Sequence, residues 1–180
     1  MRTTMAEARE REVLAELARA SVRSLKAVFT SPPAGKSWKE IEAELSRGRN
    51  LKVICGLSDE VMENAYGEAK EKLGRGDYEG ARETFASLCF YDQLTPKYWG
   101  GLAKSCERLK FYDEAAGCYG MMALVTNGTE PLPYIGIGWC RLAAGRRFEA
   151  IEPLETGLEV ADRDSSAAEL IDDLLSICRS

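Results

Sequence analysis

The residues of this chain best suited to covalent chemistry are its six cysteines, which are accompanied by no histidine. A thiol attacks well only as the thiolate, and thiolate formation requires a neighbouring base or cation. Histidine would be the usual base and a common metal ligand near neutral pH. No two cysteines form the C-x-x-C pair of a zinc or redox site. We therefore expect buried, reduced thiols with raised pKa values; the alternative is an enzyme that uses Cys106 or Cys140 as its nucleophile.

Two short strings have the form of binding motifs but lack the necessary context. Gly74, Gly76 and Gly80 are spaced like a nucleotide-binding loop, yet no strand precedes them, and that fingerprint requires one. The overlapping Arg75-Gly76-Asp77 run lies in a predicted turn between helices. Neither a Walker-type loop nor a G-x-S-x-G motif occurs in the sequence. The sequence thus implies no cofactor, no ATP and no enzymatic reaction.

The overall composition is that of a soluble helical protein. Hydrophobic residues make up 45% and charged residues 29% of the 180 positions, which suits one continuous core. No stretch approaches the roughly 20 apolar residues that span a bilayer, so we expect no stable membrane insertion. The N-terminus is rich in Arg and Glu and lacks the apolar centre of a signal peptide. We therefore expect a cytoplasmic protein.

The elements that position side chains follow from an internal repeat of about 34 residues. The segments 76–81, 110–115 and 145–150 align, with their final alanines 34 and then 35 residues apart. Pro96 and Pro131 stand 35 residues apart at the joints. The pattern resembles tetratricopeptide repeats, in which each repeat is a pair of antiparallel helices. Small residues precede each alanine by twelve positions and large apolar residues follow it by four: Ala69, Ala103 and Gly138, then Phe85, Tyr119 and Leu154.

This spacing has a physical reason. Two helices approach closely only where both side chains are small, so Ala69 should face Ala81, and the other two pairs should do the same. The large residue one turn further on should fill the space between successive repeats. Periodic alanines also occur in ordinary helical bundles, which would not explain three copies in register. Pro153, inside the last predicted hairpin, should kink or shorten its helix.

The segments that flank the repeats are also predicted to be helical. We expect an N-terminal extension over residues 1–57 and a repeat domain with a capping helix over residues 58–180. Ser37 and Glu40 form a capping-box pattern, and Ser58 should begin the first repeat. A helix over residues 3–29 should present a narrow apolar stripe, typical of a docking surface and hence of a homodimer. The stripe consists of Leu14, Leu17, Ser21, Leu25 and Val28.

A last helix should close the array, because solenoids need a polar-faced cap. Ser165 or Ser166 is its expected N-cap, and Asp172 and Asp173 should face solvent. Four apolar residues are expected to cover the open end of the array: Leu170, Leu174, Leu175 and Ile177.

The first helix of each repeat predicts a binding groove. Exposed apolar side chains along a groove usually mark a binding site, and Lys70 and Lys104 would add polar handles. In the alternative, Leu73 and Leu142 pack beneath the N-terminal helix. Counting from the alanines gives nine positions, which we call the inner-face positions: Tyr66, Lys70, Leu73, Gly100, Lys104, Glu107, Ile135, Trp139 and Leu142.

Charge is distributed unevenly between the two predicted parts. Residues 1–57 contain 11 Lys and Arg against 7 Asp and Glu, whereas residues 58–180 contain 13 against 22. Nucleic-acid binding depends on neutralising phosphates, so an acidic repeat domain should bind no nucleic acid. A basic or neutral apolar protein client suits it better. The alternative is that the acids only solvate the outer face.

Several motifs spread over residues 51–178 carry a more specific resemblance. They are the runs GLSDEVMENAY at 56–66, GDYEGARETF at 76–85, Leu88-Cys89 with Asp92, YWGGLA at 98–103 and WCRL at 139–142. Together they resemble the class II chaperones of bacterial type III secretion, the SycD/LcrH-like proteins that escort translocator subunits.

The resemblance implies an all-α fold of three repeats and an N-terminal region used for dimerisation. It also implies a cytosolic, non-enzymatic chaperone that holds a hydrophobic translocator before export, with an extended client segment at the inner-face positions. The alternative is a general tetratricopeptide adaptor that holds a charged C-terminal tail. Such a clamp needs Lys, Arg and Asn, and only Lys70 and Lys104 are candidates, with Glu107 opposing them.

Overall fold

The computed structural model describes residues 5–28 and 30–179, and these residues form α-helices with one 3-10 turn and no strand. The all-α prediction is confirmed. Within these ranges no helix combines the length and the apolar character needed to cross a membrane. The helices are α1 Met5–Val28, α2 Trp38–Ser46, α3 Leu51–Ile54, α4 Asp59–Gly74, α5 Tyr78–Tyr91, α6 Pro96–Arg108, α7 Tyr112–Val125, α8 Pro131–Ala143, α9 Arg147–Val160 and α10 Ser166–Arg179.

The chain divides into two compact units, and the division falls inside α4, between Met62 and Glu63. In the first unit α1 packs against α2. Among the α1 side chains that the structure describes, Ala18, Val22 and Leu25 are buried, and they share one helix face at spacings of four and three. Ser21, predicted to lie on the apolar stripe, is exposed instead. The side chains of the other three predicted stripe residues lie outside the described ones: Leu14, Leu17 and Val28.

The predicted helix starts of this region are confirmed. At α2 the Glu40 amide donates to Ser37 Oγ at 3.3 Å, while the Ser37 amide donates to Glu40 Oε2 at 2.6 Å. These two reciprocal bonds make the capping box. Ser58 Oγ accepts from the Val61 amide at 3.2 Å and so caps α4.

Three hairpins follow, formed by α4 with α5, α6 with α7, and α8 with α9. Their predicted small residues are buried as the repeat requires. At the third crossing even an alanine would be too large, because a Cβ on Gly138 would lie 2.5 Å from Leu154 Cγ. Five of the predicted alanines are 0% exposed: Ala69, Ala81, Ala103, Ala115 and Ala150.

Large side chains join successive hairpins, as predicted for the first two. Phe85 of α5 packs on Gly101 of α6, where an added Cβ would overlap its ring. Tyr119 of α7 packs on Gly136 of α8 in the same way, at 2.5 Å from such a Cβ. Glycine is needed at both places because the aromatic ring occupies the space of a side chain.

The turn inside each hairpin has one residue with a positive φ. The angles are 86° at Gly76, 65° at Lys110 and 77° at Gly145. Glycine adopts this conformation without steric cost, whereas a residue with a Cβ adopts it only at a steric cost. The second hairpin therefore carries backbone strain at Lys110 that the other two avoid.

Pro153 does not shorten α9, contrary to one of the two effects expected of it. The helix runs from Arg147 to Val160 and has 14 residues, as α5 and α7 have. A helical proline removes only the one bond to the carbonyl four residues before it. Packing of the buried Ala150, Leu154 and Gly157 against the neighbouring helices holds α9 in place.

The last helix covers the third hairpin, but with a different face from the predicted one. Ser165 is its N-cap and accepts from the Ala168 amide at 3.2 Å. Leu174 and Leu175 are buried as expected, whereas Leu170 is 47% and Ile177 55% exposed. Asp172 and Asp173 are exposed as predicted. Leu170 and Ile177 therefore lie at the edge of the buried face. That face has three- and four-residue spacing and consists of Ala168, Ile171, Leu174, Leu175 and Cys178.

Candidate binding groove

The nine inner-face positions all lie on α4, α6 and α8, the first helices of the three hairpins, and all belong to the second unit. Their exposure differs. Trp139 is 48% exposed and the two lysines are exposed, whereas the Glu107 side chain is only 8% exposed. The remaining positions are half-buried: Tyr66, Leu73, Gly100, Ile135 and Leu142.

Tyr66 is a fixed aromatic centre at the α4 end of the inner face. Its ring lies 5.9 Å from the Phe85 ring, edge to face, and 5.8 Å from the Tyr98 ring. Lys70 Nζ lies 5.7 Å and Lys97 Nζ 4.6 Å from the centre of the same ring. Aromatic and cation–π contacts of this kind hold a ring in one orientation.

Lys97 is a partly exposed residue of α6 that lies outside the nine inner-face positions. It forms an ion pair with Glu63, and the hydrogen bond to that carboxylate raises the pKa of the Lys97 ammonium. Glu63, Lys97 and Leu132 each stand three residues before an inner-face position, one helical turn earlier. Extending the count by one turn would have found all three. Leu132, on α8, is 55% exposed.

Lys70 differs from the other lysines of the inner face. Lys97 pairs with Glu63, and Lys104 Nζ lies 2.9 Å from Glu107 Oε2. Among the residues that the structure describes, Lys70 has an aromatic contact to Tyr66 but no carboxylate within ion-pair distance. An exposed ammonium group without a partner is available to a ligand.

Glu107 lies beneath the surface rather than on it. Besides the Lys104 bond, it accepts from the Tyr119 hydroxyl at 2.8 Å, and the Cys140 thiol lies 4.0 Å away. Burial, followed by the Glu107 charge, raises the pKa of the Tyr119 hydroxyl. The carboxylate therefore links α6 to α7 and approaches α8, and it is satisfied before any ligand arrives.

Three other predicted positions are partly taken up by the core. A Cβ on Gly100 would contact Met122 Sδ at 3.4 Å, so this position faces α7. Ile135 and Leu142 pack against the cluster that α9 and α10 form around Leu154 and Ile171. Trp139 and Leu132 remain the open apolar residues of α8.

Cys106 and Cys140, the two thiols considered as nucleophiles, are buried, whereas Cys55 and Cys118 are half-buried, contrary to the expectation for them. Burial raises the pKa of Cys140 to about 12, as expected for a buried helical cysteine. The expectation is wrong for Cys106, because a hydrogen bond with Cys118 lowers its pKa. Cys106 is nevertheless 1% exposed. Within the described ranges no group of three His, Cys, Asp or Glu residues could hold a metal ion. The arrangement suits binding through apolar and cationic side chains.

Comparisons with known proteins agree with this picture, although no family model matches the chain. The chaperone protein SicA of Salmonella typhimurium is 28% identical over 128 residues, which are 71% of this chain and 76% of SicA. A solved complex of the Yersinia enterocolitica type III secretion chaperone SycD with a peptide of the translocator YopD is 25% identical. Its TM-score is 0.63, and the match covers 68% of this chain and 95% of SycD.

A second structure of the same SycD, an alternative dimer, has the same identity of 25%, TM-score of 0.63 and coverage of 68% and 95%. The chain is thus similar in sequence and in fold to type III secretion chaperones. The resemblance expected from the sequence motifs is confirmed.

Proposed function

We propose that this protein is a cytosolic, non-catalytic chaperone of a type III secretion system that binds an extended segment of a hydrophobic translocator along its inner face. The observation that carries the proposal is a set of accessible apolar and aromatic side chains on the first helices of the hairpins, the half-buried Tyr66 and the exposed Leu132 and Trp139. It lies in a fold similar to that of SycD, which has been solved with a translocator peptide.

Such binding would keep the client in solution. A translocator segment that is apolar enough to enter a membrane also aggregates in water, because exposed apolar surface associates. Seating that segment on the inner face removes its apolar area from water, at about 25 cal/mol for each Å². An extended bound segment stays unfolded, as passage through a narrow secretion channel requires.

The scaffold is suited to binding an unfolded chain because its own side chains are already ordered. Tyr66 is fixed by the Phe85 and Tyr98 rings, and Glu107 is fixed by its bonds to Lys104 and Tyr119. An unfolded client loses conformational entropy when it binds, at several kcal/mol. A groove that needs no ordering of its own adds little to that cost.

The test begins with co-expression of the full chain with the translocators of its own secretion system, followed by mapping of the retained segment. That segment, as a synthetic peptide, is then titrated calorimetrically into the protein. Trp139→Ala and Tyr66→Ala should each weaken binding by roughly 1–3 kcal/mol, because buried aromatic anchors carry much of the energy at such interfaces. Helical content should stay unchanged.

Phe148→Ala is the matched control, because Phe148 is 73% exposed on α9 and lies outside the inner face. It should bind the peptide as the parent does. Equal losses at Trp139, Tyr66 and Phe148 would show that the client does not use the inner face. Failure of every translocator to co-purify would reject the chaperone function itself.

We further propose that the N-terminal extension, residues 1–57, mediates self-association. The similar SycD has been solved as a dimer, and the sequence of residues 3–29 has a thin apolar stripe between charged faces. Deleting residues 1–29 should convert a dimer to a monomer in light scattering, or lower solubility by exposing apolar surface. An unchanged mass with unchanged solubility would reject this role.

A further inference from the structure

We infer that the α4–α6 end of the inner face recognises a carboxylate, carried by an Asp or Glu side chain that adjoins the apolar residues of the bound segment. This inference rests on the function proposed above and adds a chemical requirement to the client. We call the proposed subsite, formed by Tyr66, Lys70 and Lys97, the carboxylate subsite.

The first observation is that two cations flank a single aromatic ring. Lys70 comes from α4 and Lys97 from α6, and both Nζ atoms lie within 6 Å of the Tyr66 ring centre. The ring is held by Phe85 and Tyr98 and cannot turn away without breaking those contacts. An apolar side chain of the client can pack on the exposed part of Tyr66 while its acidic neighbour reaches the ammonium groups.

The second observation concerns charge. Residues 58–180 carry 22 acidic and 13 basic residues, so this part of the chain is acidic as a whole. On the inner face of α4 and α6, by contrast, lysines outnumber acids. The lysines are Lys70, Lys97 and Lys104, and the acids are Glu63 and Glu107. The local excess of positive charge is complementary to an acidic residue, not to the basic client that the overall charge suggests.

The third observation is that the cations are available. Lys70 has no carboxylate partner in the part of the chain that the structure describes. The Lys97–Glu63 pair is accessible, with side chains 39% and 56% exposed. Exposed pairs of this kind contribute little to stability, so a client carboxylate can replace Glu63 at small cost. Lys104 is different, because its partner Glu107 is buried and also holds Tyr119.

The carboxylate is assigned to a side chain rather than to a chain end. In the proposed function the client is a segment of a longer protein, and apolar positions continue beyond α6 at Leu132 and Trp139 on α8. A segment that reaches from Tyr66 to Trp139 crosses the carboxylate subsite with its backbone. It can therefore present an acidic side chain there. The experiment must distinguish this side chain from the free C-terminal carboxylate of a client.

The experiment uses the full-length protein and the retained translocator segment as an amidated synthetic peptide. A set of variant peptides is compared with it, and each variant carries one Asp→Asn or one Glu→Gln substitution. Lys70→Gln and Lys97→Gln are the protein variants. Lys110→Gln is the control, because it removes the same charge at the exposed α6–α7 turn, outside the inner face. Calorimetric titration measures every combination.

We expect Lys70→Gln and Lys97→Gln each to weaken binding about two- to fivefold, the range that exposed ion pairs typically contribute. One neutralised peptide should lose a similar factor, and its loss should not add to that of Lys70→Gln, as a direct contact requires. Lys110→Gln should bind as the parent does. Added salt should lower the affinity of the acidic peptide more than the affinity of its neutral counterpart.

Several results would overturn the inference. Parent-like affinity of Lys70→Gln and Lys97→Gln, while Trp139→Ala still weakens binding, would leave the chaperone function standing and remove the carboxylate subsite. A retained segment without any acidic residue would do the same. A peptide whose free C-terminus binds more tightly than its amide, with no effect of internal acids, would assign the subsite to a chain end. Loss of effect at Trp139 as well would count against the proposed function instead.

Discussion

The two ends of the inner face are built on the same repeat but present different surfaces. At the α4–α6 end, Tyr66 rests on aromatic rings and is flanked by two ammonium groups. At the α8 end no lysine occupies an inner-face position, and Trp139 presents its indole to solvent. Ile135 and Leu142, at the positions of Tyr66 and Leu73, pack against the C-terminal core instead.

The lysines and Trp139 differ in sequence, whereas the burial of Ile135 and Leu142 arises from the neighbouring helix. α10 packs on α8 and α9 and contributes Ile171 to the core around Leu154. Positions that would line a groove in an uncovered repeat thereby become part of the core. The position of a residue in the repeat consequently predicts on which helix face it lies. Packing of the neighbouring helix decides whether that residue is exposed or part of the core.

The largest effects should come from the residues that support each end. Phe85 is 1% and Leu154 0% exposed, so Phe85→Ala should cost about 3–5 and Leu154→Ala about 2–5 kcal/mol of unfolding free energy. Phe85→Ala should also loosen Tyr66 and weaken client binding. Leu154→Ala should leave the Tyr66 region unaffected. Chemical denaturation measures the stabilities, and titration with client peptide shows whether Tyr66→Ala still weakens binding in each background. Loss of the Tyr66→Ala effect in Leu154→Ala would contradict the separation of the two ends.

Both ends of the inner face are held by the same kind of helix crossing, in which two small residues face each other. Ala115→Leu should overpack the central crossing and cost about 1–3 kcal/mol, because Ala115 is 0% exposed. Gly117→Ala is the control on the same helix, since its added Cβ would meet no atom within 4 Å. This change should stabilise the helix by about 0.5–1 kcal/mol. Thermal melting of both variants tests the register, which would be wrong if Ala115→Leu melted like the parent.

The central turn should respond to relief of its backbone strain. Lys110 has a φ of 65°, where Gly76 and Gly145 occupy the matching turns. Lys110→Gly should therefore stabilise the protein by about 1 kcal/mol, less the entropy that glycine adds to the unfolded chain. Lys110→Ala, which keeps the Cβ, should not. A lower melting temperature for Lys110→Gly would mean that the lysine side chain contributes more than its strain costs.

The smallest effect should come from the ion pairs between the second and third hairpins. Asp113 contacts Arg146 at 2.5 Å and Arg141 at 2.7 Å, and the bond to Arg146 holds its pKa below the usual 3.8. A lowered carboxyl pKa stabilises the fold above the unfolded-state value, and this stabilisation is lost as the pH falls through the folded-state value. Asp113→Asn should thus melt slightly earlier than the parent at neutral pH and equally once the parent carboxyl is protonated.

Asp172→Asn is the control for that comparison, because Asp172 is exposed on α10. It should leave the melting temperature unchanged at both pH values. A persistent difference between Asp113→Asn and the parent in acid would assign the effect to packing instead of charge.

Much of the scaffold was predictable because its constraints are periodic. The buried alanines and the turns at Gly76 and Gly145 follow from the spacing of the tetratricopeptide hairpin. The caps at Ser37 and Ser58 follow from local capping patterns at the starts of α2 and α4. The last helix shows the limit of that reasoning. Leucine or isoleucine stands at 170, 171, 174, 175 and 177, so the sequence pattern does not distinguish between faces one residue apart. Only packing against Leu154 selects Ile171 over Leu170.

The candidate site was less predictable because its character depends on contacts between repeats. Lys97 lies one turn before the counted positions, and its importance comes from a ring on a different helix. Glu107 reads as a surface acid in the sequence. It is buried because the Tyr119 hydroxyl, twelve residues later, reaches its carboxylate. No spacing rule contains either contact.

Phe85 and Tyr119 pack in the same way on a glycine of the next helix. The central hairpin can therefore be repeated without changing this contact. Residues 96–130 receive a ring at Gly101 and deliver one to Gly136. A second copy inserted after residue 130 would receive Tyr119 of the first copy at its own Gly101 counterpart, and its own tyrosine would meet Gly136. The buried acceptor of each tyrosine, Glu107, travels within the same copy. Lengthening the array by whole hairpins would therefore keep the ring-on-glycine contact at every junction, and the length of the binding surface becomes a quantity that gene duplication or design can set.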